Sequence, residues 1–178
     1  LIDALHAEAL YDAMGPGVEV SGGSAANTTV GISSFGGRSA FIGRVKDDQL
    51  GTEFAHDIRA AGVHYSTPAT KTGPPSGRCL ILVTPDAQRT MGTFLGSSSF
   101  LTPDDVDPAL VQSSAVTYLE GYLWDEPDAK AAFIYAANLA HEAGRRVALS
   151  KNQSIFVKPH PCEFIYIVDG PIYIIFAK

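Results

Sequence analysis

The chain has 178 residues, 46% of them apolar and 18% charged, which suits one globular domain with a real core and excludes a disordered tail or a fibrous repeat. A net charge of −6 argues against a nucleic-acid or anionic-membrane partner, since both need basic surfaces, although a local phosphate pocket stays compatible with it. Cys79 and Cys162 are too few for a disulfide scaffold, and no apolar run reaches membrane-spanning length. With no charged-then-apolar leader either, a cytoplasmic location is the expectation.

In chain order, Ile2 to Met14 has helical apolar spacing and stops at Gly15-Pro16-Gly17. A short β-like run, Val18-Glu19-Val20, leads into Gly22-Gly23, and Thr28 to Phe35 has helix-compatible spacing. Ala40 to Val45 predicts a strand, and Leu50 to Ala61 a helix closed by Gly62. The stretch 63–99 is β-rich. His64 to Thr67 is strand-like, Thr70 to Gly77 is a Pro/Gly loop, and Cys79–Val83 with Thr90–Leu95 flank the turn residues of a hairpin. After Thr102-Pro103, an N-cap and N1 pair, the strand–helix rhythm returns: strand 116–119, helix 128–143 ending at Gly144, strand 146–150. This alternation predicts an α/β fold with a doubly wound, mainly parallel sheet, its core formed by 1–62 and 100–178. A small β lid is expected from 63–99, with 15–20 a candidate addition to it.

The stretch Gly22-Gly23-Ser24-Ala25-Ala26-Asn27 has the ingredients of a ligand site. Glycines allow close backbone approach, a helix start presents unpaired N–H groups, and Asn27 offers a donor and an acceptor to a hydroxyl-rich ligand. The bland alternative is a tight β–α connection. The run continues through the Gly36-Gly37 turn, an apolar strand, Gly43, the basic Arg44, and a D-x-x-G at Asp48 to Gly51. In that order it resembles the N-terminal signature of the ribokinase-like, or PfkB, sugar and nucleoside kinases. Asp57 to Val63, Tyr118 to Tyr122, Val147 to Ser150 and Ile172 to Ala177 resemble later parts of the same family.

The resemblance implies a three-layer ribokinase-like fold, ATP and Mg²⁺ as cofactors, a sugar or nucleoside acceptor, and a homodimer paired through the lid. It also implies that a first strand carrying a substrate-gripping Asp, and a catalytic G-A-G-D segment, belong upstream and downstream of these residues. No catalytic residue is therefore assigned within the chain, and the 178 residues alone are not expected to transfer phosphate. Lys178 stands where the family begins an N-x-x-E motif, and 151–178 shows little of the helix expected there.

Gly22, Gly23 and Asn27 match the family's substrate-contacting G-G-x-x-x-N; for Asn27 the alternative is a helix cap. Arg44 is a candidate phosphate ligand, whereas Lys46 reads as surface charge. Glu120 ends an apolar run at the expected carboxyl edge of a parallel strand, where ligands bind. The resemblance gives it sugar hydroxyls; otherwise it is an ordinary strand-end carboxylate. Tyr122 matches a position where nucleoside kinases set an aromatic ring against the base, with core packing as the plainer role. Arg89, in the hairpin, is either a surface turn residue or one that closes on substrate. The five histidines show no metal spacing with Cys or acids, so no metal ligand is assigned.

These residues point to an ATP-dependent phosphotransferase acting on a sugar or nucleoside hydroxyl, of which this chain carries the acceptor-binding half. The alternative is a non-catalytic sugar- or nucleoside-binding α/β module. A Rossmann-type dinucleotide binder is disfavoured, because no G-x-G-x-x-G follows a strand.

Overall fold

A computed structural model describes residues 1–150 in full and, as backbone strands, 165–166 and 174–177. The expectations for the rest of 151–178, including Lys178, lie outside the described residues. Six strands form the main sheet in the order β2-β1-β8-β5-β6-β7: β1 Ser39–Ile42, β2 His64–Tyr65, β5 Val116–Glu120, β6 Arg146–Ser150, β7 Ile165–Tyr166 and β8 Ile174–Ala177. β1 is parallel to β2, and β5, β6 and β7 are parallel to one another; β8 runs antiparallel between β1 and β5. Every strand but β8 therefore points the same way, as a mainly parallel doubly wound sheet requires.

Strand parity divides the interior into two cores. On β1, Ala40 and Ile42 join a cluster with Leu119, Phe133, Val147 and Leu149, while Phe41 joins Ala25, Ile58, Val63 and Tyr65 on the opposite face. Helices α2 (Ser24–Ser34) and α3 (Gln49–Ala60) cover the Phe41 face, and α4 (Pro108–Ser113) and α5 (Pro127–Glu142) cover the other. The result is three layers. Near-continuous burial along β1 is what a strand covered on both faces demands. Asp107 caps α4, with Pro108 at the first helical position, and the Thr102–Asp105 capping box opens a single 3₁₀ turn at Pro103–Asp105.

A separate two-stranded sheet, β3 Arg78–Val83 with β4 Arg89–Phe94, is the predicted hairpin. One face is covered by α1 (Ala4–Ala13): the Ile2 N–H donates to the Thr93 carbonyl at 2.9 Å, Ile2 and Leu10 crowd Gly92, and Arg78 lies over the Tyr11 ring. The other face leaves Ile81, Val83 and Met91 exposed.

Two expectations differ from the structure. Val18-Glu19-Val20 has no ladder partner among the described residues, and both valines stand in solvent instead of forming a strand. His64–Tyr65 lies within the stretch read as lid, yet it pairs with β1 in the main sheet, because Tyr65 packs on Phe41 and Phe54.

The D-x-x-G of the sequence is a structural clamp. Asp48 caps α3 by accepting from the Gly51 N–H at 2.8 Å, and it also accepts from the Ser76 N–H at 2.9 Å and the Ser76 hydroxyl at 2.7 Å. That ties the α3 entrance to the loop preceding the hairpin. Gly51 permits the clamp, since a Cβ there would lie 2.0 Å from the Lys46 carbonyl oxygen. Burial raises the Asp48 pKa, but the hydrogen bonds from Ser76 and Gly51 outweigh it, so the carboxyl sits below the ordinary aspartate value of 3.8. Its stabilisation is thus complete above that value and is lost as pH falls through the lower folded one. Asp48→Ala should remove the cap and both Ser76 contacts, lowering stability by about 2 kcal/mol at neutral pH. Urea unfolding of the variant beside the parent checks this; superimposable curves would show that the clamp contributes nothing.

Candidate functional site

The direction of sheet order reverses between β1 and β5, and the crevice beyond the carboxyl ends of the strands at such a point is where α/β sheets bind ligands. After the Gly36-Gly37 turn β1 runs back along α2, so the N-terminus of α2 lies at that same edge. Gly23 is the N-cap, with φ 107°, a backbone conformation that side chains with a Cβ rarely adopt. The first bond across this start runs from the Asn27 N–H to the Gly23 carbonyl at 2.8 Å. The amides of Ser24, Ala25 and Ala26 therefore precede any intrahelical partner and present a partial positive charge.

The helix begins four residues before the Thr28 start read from the sequence, so Asn27 is not its cap. It sits one turn inside, exposed, and its side-chain amide has no partner among the described residues. Gly22 is exposed beside it.

Glu120 closes β5 in register with Ser150 of β6 and is only 2% exposed. Parity puts it on the Tyr118 side of the strand, facing α2. There the Ser24 hydroxyl donates to its carboxyl, standing 2.8 Å from each of Oε1 and Oε2. No cation pairs with Glu120 among the described residues, and burial pushes its pKa up from 4.5 to about 9. At neutral pH the group is a carboxylic acid, able both to donate and to accept. Tyr118, two residues earlier, is also pushed upward, chiefly by burial. A buried acid with no counter-charge is expensive to fold, and such groups gather where ligands are bound.

The structure brings Gly22, Gly23, Asn27 and Glu120 to one edge. The other sequence candidates lie elsewhere or are engaged. Tyr122 occupies a 3₁₀ turn, Gly121–Leu123, half-buried against the α5-side core. The Arg44 guanidinium donates to the Phe100 carbonyl and pairs with Asp105 at 3.6 Å, linking the end of β1 to the capping box. Arg89 starts β4 opposite Val83 and is exposed. Ser24 was missed. Its only sequence signal was a hydroxyl directly behind paired glycines, and the partner 96 residues away becomes visible only once β5 and α2 are packed. Among the described residues no three His, Cys, Asp or Glu side chains converge to hold a metal ion.

Comparison with known proteins finds a match to the pfkB family carbohydrate kinases over residues 12–169. The solved adenosine kinase from Sinorhizobium meliloti is 53% identical, with a TM-score of 0.79, over 84% of this chain and 46% of its own. A probable sugar kinase from Rhizobium etli CFN 42 is 50% identical, with the same TM-score, over 84% of this chain and 45% of its own. Probable fructokinase-4 of Arabidopsis thaliana is 27% identical over 137 residues, 76% of this chain and 42% of its own. The chain spans less than half the length of these relatives.

The acid at position 120 has a testable signature. Its folded pKa lies above the unfolded value, so the fold holds an extra proton between pH 4.5 and about 9 and loses stability as pH rises through that window. Glu120→Gln removes this titration while keeping the shape. Its melting temperature relative to the parent should climb steadily from pH 5 to pH 9. A difference that does not change with pH would mean that Glu120 is ionised throughout.

Proposed function

Because the chain belongs to the pfkB family of carbohydrate kinases, we propose that it forms the acceptor-binding part of an ATP-dependent phosphotransferase acting on a hydroxyl of a sugar or nucleoside. The observation that carries this reading is the Ser24–Glu120 contact, which seats the glycine-opened start of α2 on the end of β5. Along that edge stand the exposed Gly22, the half-buried Gly23, helix-start amides and an Asn27 carboxamide with no partner among the described residues, and a neutral acid. A polyol needs such a surface, because each of its hydroxyls must both donate and accept when water is removed.

In this role Gly22 and Gly23 admit the acceptor close to the backbone. Asn27 uses both atoms of its amide on hydroxyls, and Glu120 receives or gives a hydrogen bond from the floor of the crevice. Alignment of the acceptor, and exclusion of water from it, is the larger share of what a kinase contributes to phosphoryl transfer. ATP would supply the phosphoryl group. Among the described residues Arg44 is not free for its phosphates, being engaged by Phe100 and Asp105, and no set of side chains there fits Mg²⁺. No step is routed through either. The likeness to an adenosine kinase makes adenosine the first acceptor to test, followed by ribose and fructose.

In the full-length protein that carries this chain, Asn27→Ala should raise KM for the acceptor about tenfold and leave KM for ATP unchanged, as loss of hydrogen bonds that form only when the acceptor covers Asn27 would do. Steady-state phosphorylation kinetics with adenosine, ribose and fructose provide the measurement. Equal rises for both substrates would move Asn27 out of the acceptor site. Binding of acceptor without any phosphate transfer would favour the non-catalytic module.

A further inference from the structure

Resting on the acceptor-site reading above, we propose that Ser24 is a positioning residue: its hydroxyl holds the Glu120 carboxyl in the orientation that meets the acceptor, so that Ser24 governs acceptor affinity through Glu120 without touching the acceptor itself. The hydroxyl stands at the same distance, 2.8 Å, from both carboxyl oxygens. It is also the one polar group among the described residues that bonds to them. Among the described residues no arginine, lysine or histidine pairs with the carboxyl. Burial restricts the rest of the side chain, but the terminal carboxyl torsion is broad, so without a bond to hold it the group would present its oxygens in several directions.

Ser24 suits the task because of where it stands. As the first residue after the Gly23 cap it belongs to the rigid first turn of α2, and its side chain points across to β5 while its amide stays with the helix start. Each carboxyl oxygen has two lone pairs, so the Ser24 contact leaves acceptor capacity for a ligand hydroxyl. The contact thereby joins two parts of the site, the glycine turn and the strand end, that come from chain segments 96 residues apart. Loss of the hydroxyl should leave Glu120 buried yet misaimed.

The test is a double-mutant cycle in the full-length protein, reading acceptor KM and ATP KM for Ser24→Ala, Glu120→Ala and the double variant, with Ser24→Thr as rescue. Ser24→Ala should raise acceptor KM about tenfold, with ATP KM within about twofold of the parent. Ser24→Thr, which keeps a hydroxyl, should recover most of that loss. The double variant should match Glu120→Ala alone, because a residue acting only through the Glu120 carboxyl has nothing left to act on. Full additivity would overturn the proposal, as would a parental acceptor KM for Ser24→Ala. If Ser24→Ala does not fold, Ser24→Cys keeps the volume with a weak donor and should give the same direction of change. A parental acceptor KM for Glu120→Ala would sink the acceptor-site reading itself. An impaired Glu120→Ala beside an unimpaired Ser24→Ala would remove only the positioning role.

Discussion

The alternation of side chains along β1 and β5 is the constraint on which the molecule depends. A strand covered on both faces must satisfy two cores at once, and β1 does so by sending Ala40 and Ile42 one way and Phe41 the other. β5 obeys the same rule: Thr117 and Leu119 are buried towards α5, while Tyr118 turns towards α2 and α3. Glu120 inherits the Tyr118 direction because it is two residues on. A slip of one residue in β5 would turn Glu120 into the apolar α5 side and put Leu119 against Ser24. The chemistry of the site is thus a consequence of core packing two residues away.

Much of this was legible in the sequence because it rests on local signals. The helix expected at 128–143, observed one residue earlier at 127–142, and the strand 146–150 follow from apolar spacing and turn residues. The hairpin 78–94 follows from the Thr84-Pro85-Asp86 turn between two β-prone runs. What was not legible depends on long-range partners. Val18 and Val20 look like strand residues, but a strand exists only if another supplies its hydrogen bonds. His64–Tyr65 looked like the beginning of the lid, and only the ring contacts among Phe41, Phe54 and Tyr65 assign it to the main sheet. Gly22, Gly23, Asn27 and Glu120 became candidates through the motif and the strand edge, whereas Ser24 and Ser76 bond to residues far away in sequence and carry no motif of their own.

The two acids that matter most, Asp48 and Glu120, show how one side-chain type takes opposite roles. Asp48 collects three donors, stays ionised, and holds loop to helix. Glu120 receives a single hydroxyl in a drier place and becomes neutral. The first arrangement stabilises the fold over the physiological range; the second weakens it as pH rises. Donor count and burial, not sequence context, separate scaffold from site.

The docking of α1 on the hairpin gives the chain an unusual mechanical layout. By packing, α1 travels with β3 and β4; by covalent connection, it leads through Gly15-Pro16-Gly17 straight to the glycines that open α2. A displacement of the hairpin would therefore pull on a segment whose far end is the Gly22-Gly23 turn. Ser21 interrupts that segment, because its hydroxyl donates to Asp57 on α3 at 2.6 Å. That contact fixes the segment to α3 one residue before Gly22, so strain arriving from the hairpin would meet a core helix before it reached the glycine turn.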